Sequence, residues 1–186
     1  MIILDRDGVI NYDSDAYIKS VEEFIPIPGS LEAIVRLNAA GIQVTVVTNQ
    51  SGIARGYYDV ETLQAMHLKL ANLLTTMGGK IDRIYFCPHG PTDNCSCRKP
   101  KPGMLQQALQ DLDEKAIHAT MIGDSVSDLA AAEAAGVGSI LVRTGKGERS
   151  IKSIEENNTY KRYRKVAVYD DLNAAVTDIL LKASDK

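Results

Sequence analysis

Long apolar runs are missing from this chain of 186 residues. No stretch approaches the ~18 residues of a membrane-spanning helix, so no membrane span is expected. Basic excess is missing too. Lys+Arg is 21 against 24 Asp+Glu, a formal net charge of −3, which excludes polyanion binding driven by bulk charge. Cysteine is scarce. The three present are an odd number and make a poor disulfide framework. The N-terminus, Met-Ile-Ile-Leu-Asp, has no basic n-region and no cleavage site. It therefore predicts no secretory signal and a cytoplasmic protein. Repeats, low-complexity tracts and linkers are also absent, so one domain over 1–186 is expected. What the chain does hold is 45% hydrophobic residues, enough to bury a full core.

Those hydrophobic residues alternate between short β-branched runs and helical spacings. Ile2-Ile3-Leu4, 44–47, 81–86, 120–122, 139–142 and 166–168 read as strands. Between them, 30–40, 61–77, 102–112, 127–135 and 170–181 read as helices. Ser30 is the expected N-cap of the first, and Gly41 its stop. The polar stretch 145–165 is expected to be a surface loop or short helix. Buried strands alternating with helices predict an α/β fold: a doubly wound, Rossmann-like parallel sheet covered on both faces.

In such a sheet all strand ends share one rim, and ligands bind there. The first strand is followed by Asp5-Arg6-Asp7-Gly8, the second by Thr48-Asn49-Gln50-Ser51-Gly52. Arg98-Lys99-Pro100 precedes the third helix, and Gly123-Asp124-Ser125 follows the fourth strand. Any one of these could be a plain turn or helix cap. Together they bring Asp5, Asp7 and Asp124 to one rim. Two carboxylates about 4 Å apart repel by roughly 4 kcal/mol at an effective dielectric near 20. Three cannot stay ionised together without a cation or a strong pKa shift, and an all-oxygen site suits Mg²⁺, which also accepts phosphate oxygens. A metal, the Thr48 hydroxyl, backbone N–H groups and Lys99 make a phosphoryl-binding site. A carboxylate beside it could be a nucleophile.

Cys87, His89, Cys95 and Cys97 lie within eleven residues, a Cys₃His set of the kind that holds structural zinc. A disulfide with a spare thiol, or three free cysteines, are the alternatives. A reducing compartment and the awkward Cys-x-Cys geometry disfavour the disulfide, and a structural Zn²⁺ is expected.

Asp-x-Asp-Gly, Thr-Asn, a downstream Lys and Gly-Asp-x-x-x-Asp resemble the four motifs of the haloacid dehalogenase superfamily of phosphatases, over residues 2–142. Thr48 to Gly56, the Cys-Pro-His loop and Cys97 to Met104 are similar to the branch acting on heptose 1,7-bisphosphates and histidinol phosphate, and Ser51 to Gly56 is closer to the heptose enzymes. The resemblance implies that Asp5 attacks phosphorus and binds Mg²⁺. Asp7 is then the general acid and base, and its carbonyl a Mg²⁺ ligand. Thr48 and the Asn49 N–H hold phosphoryl oxygens, Lys99 neutralises them, and Asp124 completes the metal site. Asp128 is expected as a supporting partner. Related enzymes carry zinc at the positions of Cys87, His89, Cys95 and Cys97. Some carry a Lys directly after the metal-binding Asp, where this chain has Ser125. The expected substrate is a heptose 1,7-bisphosphate losing its 7-phosphate, on a route to lipopolysaccharide or another heptose glycan.

Gaps of about twenty residues after Gly8, and of one helix, one strand and the zinc loop after Ser51, leave room for flaps only. A nearly capless, monomeric enzyme follows, with Tyr17, Asn49, Gln50, Ser51, Arg55 and Arg98 as candidates for the sugar or distal phosphate. Histidinol phosphate is the alternative substrate. A phospho-acceptor or zinc-stabilised binding domain is the alternative of another class, and Asp7 argues against it. His67 and His118 are read as surface or helix-face residues. The basic run 161–165 is read as a solvated segment rather than a nucleic-acid site.

Overall fold

The computed structural model describes residues 1–184. Its short apolar runs form six strands: β1 (Ile2–Leu4), β2 (Val44–Asn49), β3 (Arg83–Cys87), β4 (Thr120–Gly123), β5 (Gly138–Val142) and β6 (Ala167–Tyr169). They lie in the order β3-β2-β1-β4-β5-β6, and every neighbouring pair is parallel. Side chains on a strand alternate between faces. Ile2 and Leu4 of β1 accordingly enter one apolar cluster and Ile3 the other.

Helices cover the two faces. α1 (Ser30–Ala39), α2 (Val60–Thr76) and α6 (Leu172–Ser184) supply Leu37, Leu70 and Val176 to the first cluster. α3 (Gly103–Asp111) and α4 (Val126–Ala135) supply Leu105 and Ala132 to the second. The chain begins mid-sheet, runs out to β3, then returns to lay β4 beside β1. That reversal opens a crevice at the carboxyl ends of β1 and β4, where a doubly wound sheet binds its ligand.

Of the two readings of residues 145–165, loop or short helix, the structure shows the helical one: α5 (Gly147–Glu156) and a 3₁₀ segment, Asn158–Lys165, which bury Ile154 and Tyr163 against Leu129 and Leu141. One local expectation is corrected. Ser30 does not cap α1. Gly29 in the left-handed region precedes the helix, and the Ser30 hydroxyl donates instead to the Val9 carbonyl at 2.8 Å. The loop from Asp5 to Gly29 carries only isolated bridges at Asp7, Asn11 and Pro26, so it is a flap, not a domain. Among the described residues no helix is long and apolar enough to cross a membrane.

Candidate active site

The crevice is built by the two central strands. The Asp5 N–H donates to the Ile122 carbonyl at 3.0 Å, which fixes the end of β1 against β4. Asp124 stands directly after β4. Carboxylate oxygens of Asp5, Asp124 and Asp128 come within 4.8 Å of one another. The loop leaving β1 passes so close that a Cβ on Gly8 would overlap Asp124 Oδ2, and Gly8 sits at φ +83°, where a side chain is strained.

Lys99 crosses beneath these acids and is only 2% exposed. Its Nζ lies 2.9 Å from Asp5 Oδ2 and 2.6 Å from Asp128 Oδ1, and it donates to the Val47 carbonyl at 2.9 Å. Burial works to lower its pKa, but Asp128 and Asp5 outweigh burial and raise it, so the lysine stays charged. Asp128 thus has two tasks. One oxygen pairs with Lys99, while the other closes a capping box with Ser125 at the start of α4. Ser125 is a helix cap here and brings no charge.

Asp7 is held differently. Burial alone would raise its pKa, but the guanidinium of fully buried Arg6 and hydrogen bonds from Asn11, Arg6 and Gln50 together lower it. The contacts are 2.8 Å from Arg6 Nη2, 2.8 Å from Asn11 Nδ2 and 2.8 Å from Gln50 Nε2. Gln50 Nε2 also donates to Thr48 Oγ1 at 2.8 Å, and the Tyr58 hydroxyl donates to Gln50 Oε1. Gly52 makes this possible, because a Cβ there would overlap the Tyr58 ring. Sequence reasoning assigned no task to Arg6, Asn11 or Tyr58. The signal available was weak: an Arg between two Asp normally reads as a solvated turn.

A cavity of about 290 Å³ opens over these groups, the size of a small-metabolite site. Thr48, Asn49, Gln50, Ser51, Tyr17 and Arg98 line it. The Asn49 side chain is committed to the main chain of Lys99, donating to its carbonyl at 3.0 Å and accepting its N–H at 3.1 Å. Arg55 stands apart from the lining. It is exposed, with its guanidinium 5.9 Å from the Tyr17 ring, and Tyr17 in turn meets Tyr57. His67 is a partly buried helix-face residue of α2. Burial, then the charge of Arg6, brings its pKa down to about 4. His118 is exposed beside Glu114.

The donors fit two metals. Asp5, Asp124 and Asp128 against one ammonium leave two negative charges, which one divalent cation balances, and all-oxygen ligands select Mg²⁺. In the loop that leaves β3, Cys87 Sγ lies 3.6 Å from Cys95 Sγ, 3.1 Å from Cys97 Sγ and 3.6 Å from His89 Nδ1. A tetrahedron with Zn–S of ~2.3 Å has edges of about 3.8 Å, so the cluster fits zinc. No two sulfurs are bonded.

Without a cation the acids must hold protons. Burial, joined by Asp128 and Asp7 and opposed by Lys99, pushes Asp5 up to about 7. Burial, with Asp128 and Asp5, pushes Asp124 up to about 8. Both would ionise near 3.8 when unfolded. The folded state therefore binds more protons over that window, and stability falls as pH rises through it. Asp7 and His67 shift the other way, with windows ending by about pH 6.5. In magnesium-free buffer, with zinc retained, Tm is expected to drop by several degrees from about pH 6.5 to about pH 8.5. Added Mg²⁺ should raise Tm more at the higher pH. An equal Mg²⁺ effect at both pH values would contradict this charge balance.

A doubly wound sheet, paired acids at its switch point and a buried lysine among them define a hydrolase of the haloacid dehalogenase class. The HAD-hydrolase-like family model matches residues 96–175. D-glycero-beta-D-manno-heptose-1,7-bisphosphate 7-phosphatases of Pseudomonas putida and Pseudomonas aeruginosa are 49% and 51% identical to the chain. The matches span 97% of this chain and 99% of the first relative, and 98% of both chains for the second. The crystal structure of D,D-heptose 1,7-bisphosphate phosphatase from B. bronchiseptica, complexed with magnesium and phosphate, superimposes with a TM-score of 0.91. It has 45% identity, covering 97% of this chain and 98% of that one. The chain belongs to the D-glycero-beta-D-manno-heptose-1,7-bisphosphate 7-phosphatase family, and it is a phosphomonoester hydrolase.

Proposed function

We propose that this enzyme removes the 7-phosphate of D-glycero-D-manno-heptose 1,7-bisphosphate through an aspartyl-phosphate on Asp5, in the supply of activated heptose for lipopolysaccharide-type glycans. The meeting of Asp5, Asp124 and Lys99 at the β1–β4 crevice carries the reading. An Asp5 carboxylate oxygen forms the bond to phosphorus while the bond to the sugar oxygen breaks. Asp7 gives that oxygen its proton. Then a water attacks the aspartyl-phosphate, Asp7 takes its proton, and inorganic phosphate leaves. Arg6 favours ionised Asp7, and the dianionic ester beside it favours the protonated form, so binding prepares the acid.

Thr48 accepts from Gln50 and keeps its own proton for a phosphoryl oxygen. Lys99 and backbone N–H groups stabilise the charge that builds on the equatorial oxygens. Asp5, Asp124 and the Asp7 carbonyl would hold Mg²⁺, which supplies a Lewis acid at the phosphoryl group. The Gln50 side chain is committed to Asp7, Thr48 and Tyr58, whereas Ser51, Tyr17 and Arg98 line the cavity where the sugar and distal phosphate would lie. Arg55 would reach them only through Tyr17. We read the protein as a cytoplasmic monomer and a single domain over 1–186.

The test is phosphate release, with Mg²⁺, from both anomers of the heptose bisphosphate and from histidinol phosphate. A kcat/KM at least about a hundredfold higher for a heptose anomer is expected, because discrimination lives in that ratio. Preference for histidinol phosphate would replace the substrate and leave the chemistry.

A further inference from the structure

Counting charge in the cavity exposes a lysine with no assigned task. Asp5, Asp7, Asp13, Asp15 and Asp124 line it, an acidic wall for a substrate carrying two phosphates. Three side-chain cations line the cavity with them, Lys99, Arg98 and Lys146, while Arg6 and Arg149 pair with Asp7 and Asp15 from outside the lining. Lys99 is buried between Asp5 and Asp128, donates to the Val47 carbonyl, and belongs to the reacting phosphoryl group. Arg98 reaches in from the zinc loop. Lys146 reaches in from the other side, at the entry to α5, and Ser125 next to Asp124 brings no cation of its own.

The backbone of Lys146 is fixed to the site. Its N–H donates to Asp124 Oδ2 at 2.7 Å, and one turn later the Ser150 hydroxyl donates to the Asp124 carbonyl at 2.9 Å. Its side chain is half exposed and ends 2.9 Å from Asp13 Oδ2. Asp13 is largely buried, but the lysine end of the pair is open to water, so the ammonium can exchange partners. A phosphate dianion offers the ammonium more charge and more acceptors than one carboxylate does.

We propose that Lys146 is a specificity residue that binds the second, non-reacting phosphate of the substrate by releasing Asp13. The inference rests on the bisphosphate reading above. The rival explanation is a strap, with Lys146 merely tying α5 to the flap. The flap is already tied there twice, by Arg149 on Asp15 at 2.9 Å and by the Thr144 hydroxyl on the Gly8 carbonyl at 2.6 Å.

Steady-state kinetics of the Mg²⁺- and zinc-replete enzyme decide between these, using the heptose 1,7-bisphosphate and the same heptose carrying only the 7-phosphate. Lys146→Met should cut the ratio of the two kcat/KM values by about ten- to a hundredfold, mostly through KM for the bisphosphate. Lys146→Arg should restore most of it. Asp13→Asn, which breaks the same pair but leaves the ammonium, should keep or raise the ratio. Equal losses on both substrates in Lys146→Met, or a matching loss in Asp13→Asn, would overturn the proposal in favour of the strap. A selective wild type with an equally selective Lys146→Met overturns it while the substrate reading stands. A wild type indifferent to the 1-phosphate overturns both.

Discussion

Asp5→Asn is expected to abolish phosphate release, with kcat down by on the order of 10⁴ or more, while the protein stays folded. An amide oxygen is a poor nucleophile toward phosphorus, and no neighbouring group can take over. Asp7 is turned toward Arg6, Asn11 and Gln50, and Asp128 is closed into Lys99 and Ser125. The fold survives because Lys99 keeps Asp128 at 2.6 Å and the Val47 carbonyl at 2.9 Å. No buried charge is orphaned. Asn also copies the protonated Asp5 that burial favours up to about pH 7 in the metal-free protein. Well above that pH and without Mg²⁺, the variant should therefore melt no lower than wild type, and Mg²⁺ should raise its Tm less. Turnover within about tenfold of wild type would remove Asp5 from the chemistry, and with it the aspartyl-phosphate.

That Asp5, Asp124 and Lys99 could be read from sequence has a physical reason. Each follows a buried run whose length and β-branching mark a strand, or lies in a charged turn between such runs. A parallel sheet sends all those ends to one rim. The arithmetic of repulsion then demands a cation or strongly shifted carboxyls before any coordinates exist. Arg6 escaped because its partner is its neighbour in sequence: the two side chains look like a solvated pair, and only the burial of Arg6 makes the pairing matter. α5 reads from sequence as either a surface loop or a short helix, because Ile151 and Ile154 are its only apolar side chains and its overall composition is polar. Ser30 looked like a cap because its type suits one, yet its hydroxyl was needed across the chain at Val9. Lys146 and Asp13 are far apart in sequence, and nothing local ties them.

The zinc loop gives the second large effect. Between the end of β3 at Cys87 and the start of α3 at Gly103 the chain holds no helix and no strand, yet it must deliver Lys99 into a buried position. Besides backbone bonds to Gln50 and Ala54, the loop is tied by Arg98 Nη1, which donates to the His89 carbonyl at 3.3 Å, and by Lys101 Nζ, which donates to the Cys95 carbonyl at 2.6 Å. Both lead back to the Cys₃His cluster, so a zinc ion held there would fix the loop in one shape. Four protein ligands close the shell, which makes its role structural. Purified protein should hold one zinc per chain. Cys97→Ser, or zinc removal by a chelator followed by Mg²⁺ restoration, should lower Tm by on the order of 10 °C. It should also cut kcat/KM by about ten- to a hundredfold, because Arg98 and Lys99 lose their support. Zinc should restore both in the chelated wild type, and Mg²⁺ alone neither. Protein that is fully active with no zinc and three freely reacting thiols would show that the cysteines are incidental and that Lys99 is positioned by Asn49 and its acid partners alone.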